Sequence, residues 1–342
     1  MSNENHSRIW AQFLDAAKMG TKRGGIRAYK ISFCKVAMTM SDNLVKSGYI
    51  CGGDRYEEWK EYFGKICEIL EGDDMIQKTV REYFLCLHSG ETSDFSINFT
   101  NKDEGTSIGN ICDVKFSGMH RRFFIKCHQR GPRSTSISIS NRYDSVNRPF
   151  VQELFVYQLL SLIKVGGEVH FPLPVTSTSK KALYIATEGI NFTIAKELTA
   201  QTANSKAMVL VDFLEYILRL EDIGTNGGNY GQSDEGEPVI VDFWITTKDD
   251  YVLSDGQISE FWSELYECNS QLIARVLKRV TKEERKGIIY GAIEKWNLIN
   301  RIEEAKSLVE EFLVKNGERI EISGDLNRYV RDVKSNVEEI IK

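Results

Sequence analysis

The sequence predicts an α+β protein: a five-stranded antiparallel sheet carrying one helix, followed by a helical lobe and preceded by a helical N-terminal region. Three observations predict it. All five prolines, at positions 132, 149, 172, 174 and 238, fall in the middle of the chain, so both ends lack the residue that helices tolerate least. Near both termini apolar residues recur at three- and four-residue steps. Between these flanks, from Asp94, the texture changes to short β-like runs separated by Gly- and Asn-containing turns.

In the first flank Ile9, Trp10, Phe13, Leu14 and Ala17 form a helical stripe that stops near Gly20. Trp59, Tyr62, Phe63, Ile66 and Leu70, then Val80, Tyr83, Phe84 and Leu87, continue the pattern, with Asp54 as an N-cap candidate. Residues 1–90 therefore read as a helical region, and 91–342 as a second domain that divides into 91–189 and a helical 190–342. Phe95–Thr100, Ile111–Phe116 and Arg122–Cys127 read as three antiparallel strands. A helix follows Pro149, where Val151, Leu154, Phe155, Gln158, Leu159 and Leu162 keep helical spacing up to Gly166-Gly167. Val175–Ser177 and Leu183–Thr187 supply two more strands, giving the order β-β-β-α-β-β. Beyond Gly189 helices are expected over Ala207–Leu220, Ile258–Val280, Glu283–Val314 and Leu326–Ile341, with Thr281-Lys-Glu-Glu284 as a capping box. The exception is a glycine-rich loop from Gly224 that ends in the strand-like Val239-Ile240-Val241.

Composition bounds the function. At 342 residues the chain exceeds the size at which a single core stops growing, about 250–300 residues, so two structural units are expected. Its net charge of −5 offers no global attraction to nucleic acid or to an anionic membrane surface, and any anion site must be local. The N-terminus has neither a basic nor an apolar signal region, and no run approaches 18 apolar residues, so a soluble, cytoplasmic protein without a membrane span is expected. The seven cysteines include no C-x-x-C pair and signal neither a disulfide framework nor a zinc site. Without a secretory signal, the sequons at Asn98 and Asn191 are chance matches.

The chemistry-bearing residues follow the same order as the elements. Phe123-Phe124-Ile125-Lys126 puts a lysine inside an otherwise apolar strand, and Glu153 stands in the helix after it. Alone, Lys126 reads as a strand lysine on a solvent face and Glu153 as a solvated helix residue. Leu183–Gly189 is an apolar strand that ends in a glycine turn, and Leu218–Gly231 holds Asp222 and Asn229. Val239-Ile240-Val241-Asp242-Phe243 is an apolar strand ending in an acid, which in isolation is an ordinary strand-capping aspartate.

Taken together, this succession resembles a divergent protein kinase, of the atypical-kinase or pseudokinase type, over roughly residues 94 to 300. The resemblance implies a bilobal protein-kinase-like fold that binds ATP and Mg²⁺. Lys126 would match the lysine of V-A-I-K on the phosphates, with Glu153 orienting it. Backbone groups of Glu188 and Gly189 would hold the adenine. Asp222 would be the acid of the catalytic loop, acting on the acceptor hydroxyl, and Asn229 and Asp242 the oxygen ligands of the metal. The acceptor is a protein or a small molecule that the sequence does not identify, and a protein partner is expected; no nucleic-acid partner is predicted.

The sequence departs from the family in stated places. Asn229 follows Asp222 by seven residues instead of five, Leu220 and Glu221 stand for the histidine and arginine of H-R-D, and Trp244 replaces the glycine of D-F-G. Lys102–Gly109 has two glycines but not G-x-G-x-x-G, and no A-P-E follows. An atypical ATP- and Mg²⁺-dependent phosphotransferase and a pseudokinase used as an interaction scaffold both remain open at this point. A third reading, a helical adaptor with no nucleotide site, makes the matches coincidental. His128, Arg130, Arg133, Arg142 and Arg148 form a local basic, serine-rich segment, which reads either as a phosphate or anionic-partner clamp or as a solvated insertion.

Overall fold

The computed structural model describes residues 3–21, 27–50, 54–88, 95–101, 107–130, 150–174, 183–246, 251–263, 266, 268–320 and 322–342. Its elements run α1 (Asn3–Thr21), α2 (Arg27–Lys46), α3 (Asp54–Leu87), β1 (Ser96–Asn101), β2 (Ser107–Phe116), β3 (Met119–Arg130), α4 (Val151–Leu162), β4 (Val169–His170) and β5 (Tyr184–Glu188). Then come β6 (Thr193–Ile194), α5 (Ser205–Leu218), β7 (Leu220–Glu221), β8 (Tyr230–Gln232), β9 (Pro238–Ile240), β10 (Trp244–Ile245), α6 (Asp255–Phe261), α7 (Gln271–Leu277), α8 (Lys282–Trp296), α9 (Leu298–Asn316) and α10 (Leu326–Ile341). The protein is α+β, with an antiparallel five-stranded sheet in the order β1-β2-β3-β5-β4. Two compact units divide the chain: residues 1–148 with 171–186, and residues 149–170 with 187–342.

In the first unit α3 is a single helix of 34 residues, about 50 Å at 1.5 Å per residue, and its two ends serve different cores. Trp59 and Phe63 near its start pack with Phe13, Ala17, Cys34, Ala37 and Leu44 from α1 and α2. Ile76, Val80 and Phe84 near its end cover one face of the sheet, against Ile97, Cys112, Val114, Phe123 and Ile125. Period-two alternation sets that face: Phe123 and Ile125 are buried against α3, whereas Arg122 and Phe124 point the other way and are exposed. The sequence did not mark α2 as a helix. Its polar residues interrupt the apolar stripe, and packing on α1 and α3 holds it.

In the second unit α4 is buried almost all round, and so hydrophobic periodicity on it is weak. Phe155 meets the Tyr329 ring edge-on with centroids 5.7 Å apart, and the N–H of Val151 donates to Ser323 O at 2.9 Å, which ties the start of α4 to the turn before α10. Asn204 caps α5 through Ala207 N, and the Thr281–Glu284 capping box forms as expected.

Two expectations need correction. The stretch 258–280 is two short helices, α6 and α7, because Ser270 caps a new start at α7. The stretch 283–314 breaks at Asn297, whose φ of 50° is left-handed and ends α8 before α9 begins. The strand beside β5 is Val169–His170, held by Glu188 N to Glu168 O at 2.8 Å. Val175–Ser177 lies outside the described residues, as does most of the Arg/Ser-rich segment, 131–149, and residues 102–106 of the glycine-poor loop.

Candidate functional site

The polar loop between β7 and β8 is where the second unit concentrates its unusual geometry. It starts where α5 ends: Arg219 takes a left-handed φ of 55°, and Tyr329 and Asn336 of α10 hydrogen-bond the last carbonyls of α5, Leu218 O at 2.6 Å and Ile217 O at 3.1 Å. Asp222 follows with φ 67°, a conformation sparsely populated by residues with side chains. The chain then closes on itself. Asn229 N donates to Asn226 O at 3.0 Å, Gly228 N donates to Asn226 Oδ1 at 3.1 Å, and Lys196 N reaches in to Gly227 O at 3.0 Å.

This turn closes the segment between Asp222 and Asn229. The Nδ2 group of Asn229 donates to Asp222 O at 2.9 Å and to Asp222 Oδ2 at 3.2 Å, so the two ends meet although they stand seven positions apart. Asp222 Oδ1 accepts from Thr225 Oγ1 at 3.2 Å. Asn229 Nδ2 bonds Asp222 alone, and among the described residues no donor meets its Oδ1. Asn229 itself is buried, 6% exposed.

Pairing carries Asp242 to the same place. In the β8–β9 ladder Tyr230 stands opposite Ile240, and the next bond along runs from Val241 N to Asn229 O at 2.8 Å. Asp242 therefore leaves the ladder beside Asn229. Its Oδ1 accepts from Phe243 N at 3.1 Å and from the hydroxyl of Tyr157 on α4 at 3.5 Å. The rings of Tyr157 and Phe243 lie 4.4 Å apart. Glu153, one helical turn before Tyr157, is buried at 5% exposure.

Tyr230 anchors the loop from beneath. It is buried, and its hydroxyl is 2.5 Å from the Oγ of Ser270, the residue that caps α7. Gly224 passes so close to Asn269 that an added Cβ would sit 2.4 Å from the Asn269 Cβ. Below the loop α5 carries two carboxyls that burial pushes up to about 7. They are Asp212, which accepts from Tyr266 and is drawn back by the Arg285 charge, and Glu215, drawn back by Asn269 and the Gly224 N–H.

In the first unit Lys126 is buried, 8% exposed, in strand β3, and its cross-strand partner is Gly109, which has no side chain to compete for the space. It lies on the face opposite to the Phe123 and Ile125 core. Burial sets it apart from the solvent-facing strand lysine that its residue type alone indicates. Glu188 ends β5 half-buried with its N–H already bonded to Glu168 O, and Gly189 is exposed. The second unit thus gathers Asp222, Asn229 and Asp242 at one end of the β8–β9 ladder.

Leu220, Glu221 and Trp244 belong to a separate ladder, β7 with β10, in which Trp244 stands opposite Glu221 and Ile245 opposite Leu220. Two residues of the site escaped the sequence reading, Thr225 and Tyr157. The spacing signal for Tyr157 was its place four residues after Glu153, on the same helix face; Thr225 has no signal beyond its place in the glycine-rich loop. Among the described residues no three His, Cys, Asp or Glu side chains group as a metal site, and no helix is long and apolar enough to cross a membrane. Comparison with protein-family models, curated proteins and solved structures returned no match.

Proposed function

We propose that the chain is an atypical ATP- and Mg²⁺-dependent phosphotransferase with a bilobal protein-kinase-like fold. The observation that carries this reading is the closed loop in which Asn229 Nδ2 bonds Asp222 while its amide oxygen is left for another ligand, beside Asp242. A hard cation that keeps most of its coordination for phosphate oxygens and water needs only one or two protein oxygens, which an amide and one carboxylate supply. Magnesium, when bound, neutralises the charge on the phosphates of ATP.

The chain's own groups then divide the work. On this reading Lys126, buried in β3, would bind the phosphates, and Glu153 takes the orienting role that the resemblance implies. Asn229 and Asp242 would hold the cation, while the Tyr157 hydroxyl and the Phe243 N–H bond the Asp242 carboxylate. Asp222 receives the proton of the acceptor hydroxyl. The backbone of Glu188 and Gly189 borders the base of the nucleotide.

A second reading, a pseudokinase scaffold, has its own observation. Both carboxylate oxygens of Asp222 accept hydrogen bonds within the loop, and the positions of Leu220, Glu221 and Trp244 are engaged in the β7–β10 ladder. Calorimetric titration of the purified chain with ATP, with and without Mg²⁺, tests the nucleotide site shared by both readings. Binding strengthened by Mg²⁺ supports it; no binding under either condition overturns it. ADP formation by the Mg²⁺-loaded protein then separates enzyme from scaffold.

A further inference from the structure

The turn that closes the Asp222–Asn229 segment brings a hydroxyl onto the candidate base. Thr225 is exposed, and its Oγ1 donates to Asp222 Oδ1 at 3.2 Å. The other carboxylate oxygen and the backbone carbonyl of Asp222 accept from Asn229 Nδ2 at 3.2 and 2.9 Å. A hydroxyl, the Asp222 carboxylate and the Nδ2 group of Asn229 are therefore linked in one chain of hydrogen bonds. A nucleophile held by a neighbouring base is the arrangement that activates a weak hydroxyl. Among the described residues the Thr225 hydroxyl caps no helix and bonds no buried group, and an exposed bond of this kind contributes little to folding.

We propose that Thr225 is a phosphoacceptor, and that the chain transfers the γ-phosphoryl group of a nucleoside triphosphate to its own Thr225 within one molecule. The proposal rests on the phosphotransferase reading above. In the step, a bond forms between Thr225 Oγ1 and the γ-phosphorus while the bond from that phosphorus to the β–γ bridging oxygen breaks. The nucleoside diphosphate leaves with that electron pair. The hydroxyl proton passes to the Asp222 carboxylate and from there to solvent. Thr225 stands only three positions after Asp222, so no second copy is needed to present the acceptor.

The product would limit its own formation. A phosphothreonine carries about −1.5 to −2 charges near neutral pH. Beside Asp222 it removes the hydroxyl from the base and repels the phosphates of a second triphosphate. The reaction stops at one phosphate per chain.

The test incubates the purified full chain with Mg-ATP and follows intact mass, phosphopeptide mapping and ADP formation in parallel. The expected result is the mass of one phosphate, mapped to Thr225, appearing at a rate that does not change when the protein is diluted. Thr225→Ser keeps the modification, Thr225→Val loses it, and Asp222→Asn slows it by about 100-fold or more, the low end of general-base contributions. ADP formation with no phosphate on Thr225 overturns this proposal and leaves the phosphotransferase reading standing. Mg-ATP binding with neither ADP nor modification overturns it and leaves the scaffold. Absence of binding and of turnover overturns both. A rate that rises with protein concentration, or that is unaffected by Asp222→Asn, overturns the intramolecular step as written.

Discussion

The side-chain amide of Asn229 donates to both the backbone carbonyl and the carboxylate of Asp222, at 2.9 and 3.2 Å, seven positions back along the chain. One side chain therefore sets the separation between the candidate acceptor base and the candidate metal ligand. Asn229→Ala removes both bonds and should lower stability by about 1–3 kcal/mol, at about 0.5–1.5 kcal/mol net for each lost intramolecular hydrogen bond. Mg²⁺-dependent nucleotide binding should weaken in the same variant. Chemical denaturation gives the first quantity and calorimetry the second; unchanged binding would remove Asn229 from the site.

Asp242 and Asp222 should respond differently to the same change. Asp242→Asn replaces a carboxylate by a neutral amide at the cation and should weaken Mg²⁺-dependent ATP binding. Asp222→Asn should bind nearly as wild type and lose transfer. Ligand at 100 times its dissociation constant stabilises a protein by about 2.7 kcal/mol, so thermal shift resolves the first effect. Binding indifferent both to Mg²⁺ and to Asp242→Asn would eliminate the metal pair.

Lys126 is tested through affinity. Lys126→Ala should reduce nucleotide affinity by about 10-fold or more, equivalent to roughly 1.4 kcal/mol. Cooperative unfolding should persist, because the sheet face packed on α3 is formed by Phe123 and Ile125, not by Lys126. A variant that binds ATP as tightly as wild type would mean that β3 does not carry the phosphate lysine.

The start of α4 depends on a glycine in the α9–α10 connection. Gly324 has φ 94°, and a Cβ there would lie 2.1 Å from Gln152 Oε1, on the helix that carries Glu153 and Tyr157. Gly324→Ala combines backbone strain with this clash and should destabilise the chain by more than about 1 kcal/mol. Gln152→Ala in the same background should recover part of the loss. Additive losses in the double variant would show that the clash is not the cause.

Stability should fall with pH through the buried carboxyls of α5. Burial raises Asp212 from 3.8 and Glu215 from 4.5, each to about 7. Around them stand Arg285, Tyr266, Tyr230 and Cys268. Between the unfolded and folded values the native state binds more protons than the unfolded one, so stability decreases as pH rises from about 4 to about 7. Each unit of displacement corresponds to about 1.4 kcal/mol, shared across a coupled pair. Asp212→Asn abolishes that titration at one site and should therefore gain stability relative to wild type between pH 5 and pH 8. A difference in unfolding free energy that is flat across that range would mean that Asp212 is ionised throughout.

Local signals account for what was legible in the sequence. Proline placement and apolar spacing gave the α+β class and the three leading strands. The Thr281–Glu284 capping box was readable because its hydrogen bonds span three residues. The order of Lys126, Glu153, Asp222, Asn229 and Asp242 was visible too, as an order of residue types on successive elements.

What only the tertiary structure decided depends on contacts between residues distant in sequence. Helix periodicity ran through Asn297 and over the 262–270 stretch, where a left-handed residue and a new cap divide the helices. The length of the Asp222–Asn229 loop conflicted with the five-residue spacing of the resembling family. The turn at Asn226 and the β8–β9 ladder bring its ends together nonetheless, a closure that spacing alone does not encode. The burial of Lys126 is the same kind of outcome: a lysine in a strand favours solvent by composition, and its 8% exposure is a property of the packed chain. Residue type and order are written locally, whereas burial, loop closure and hydrogen-bond partnership exist only once distant segments have packed.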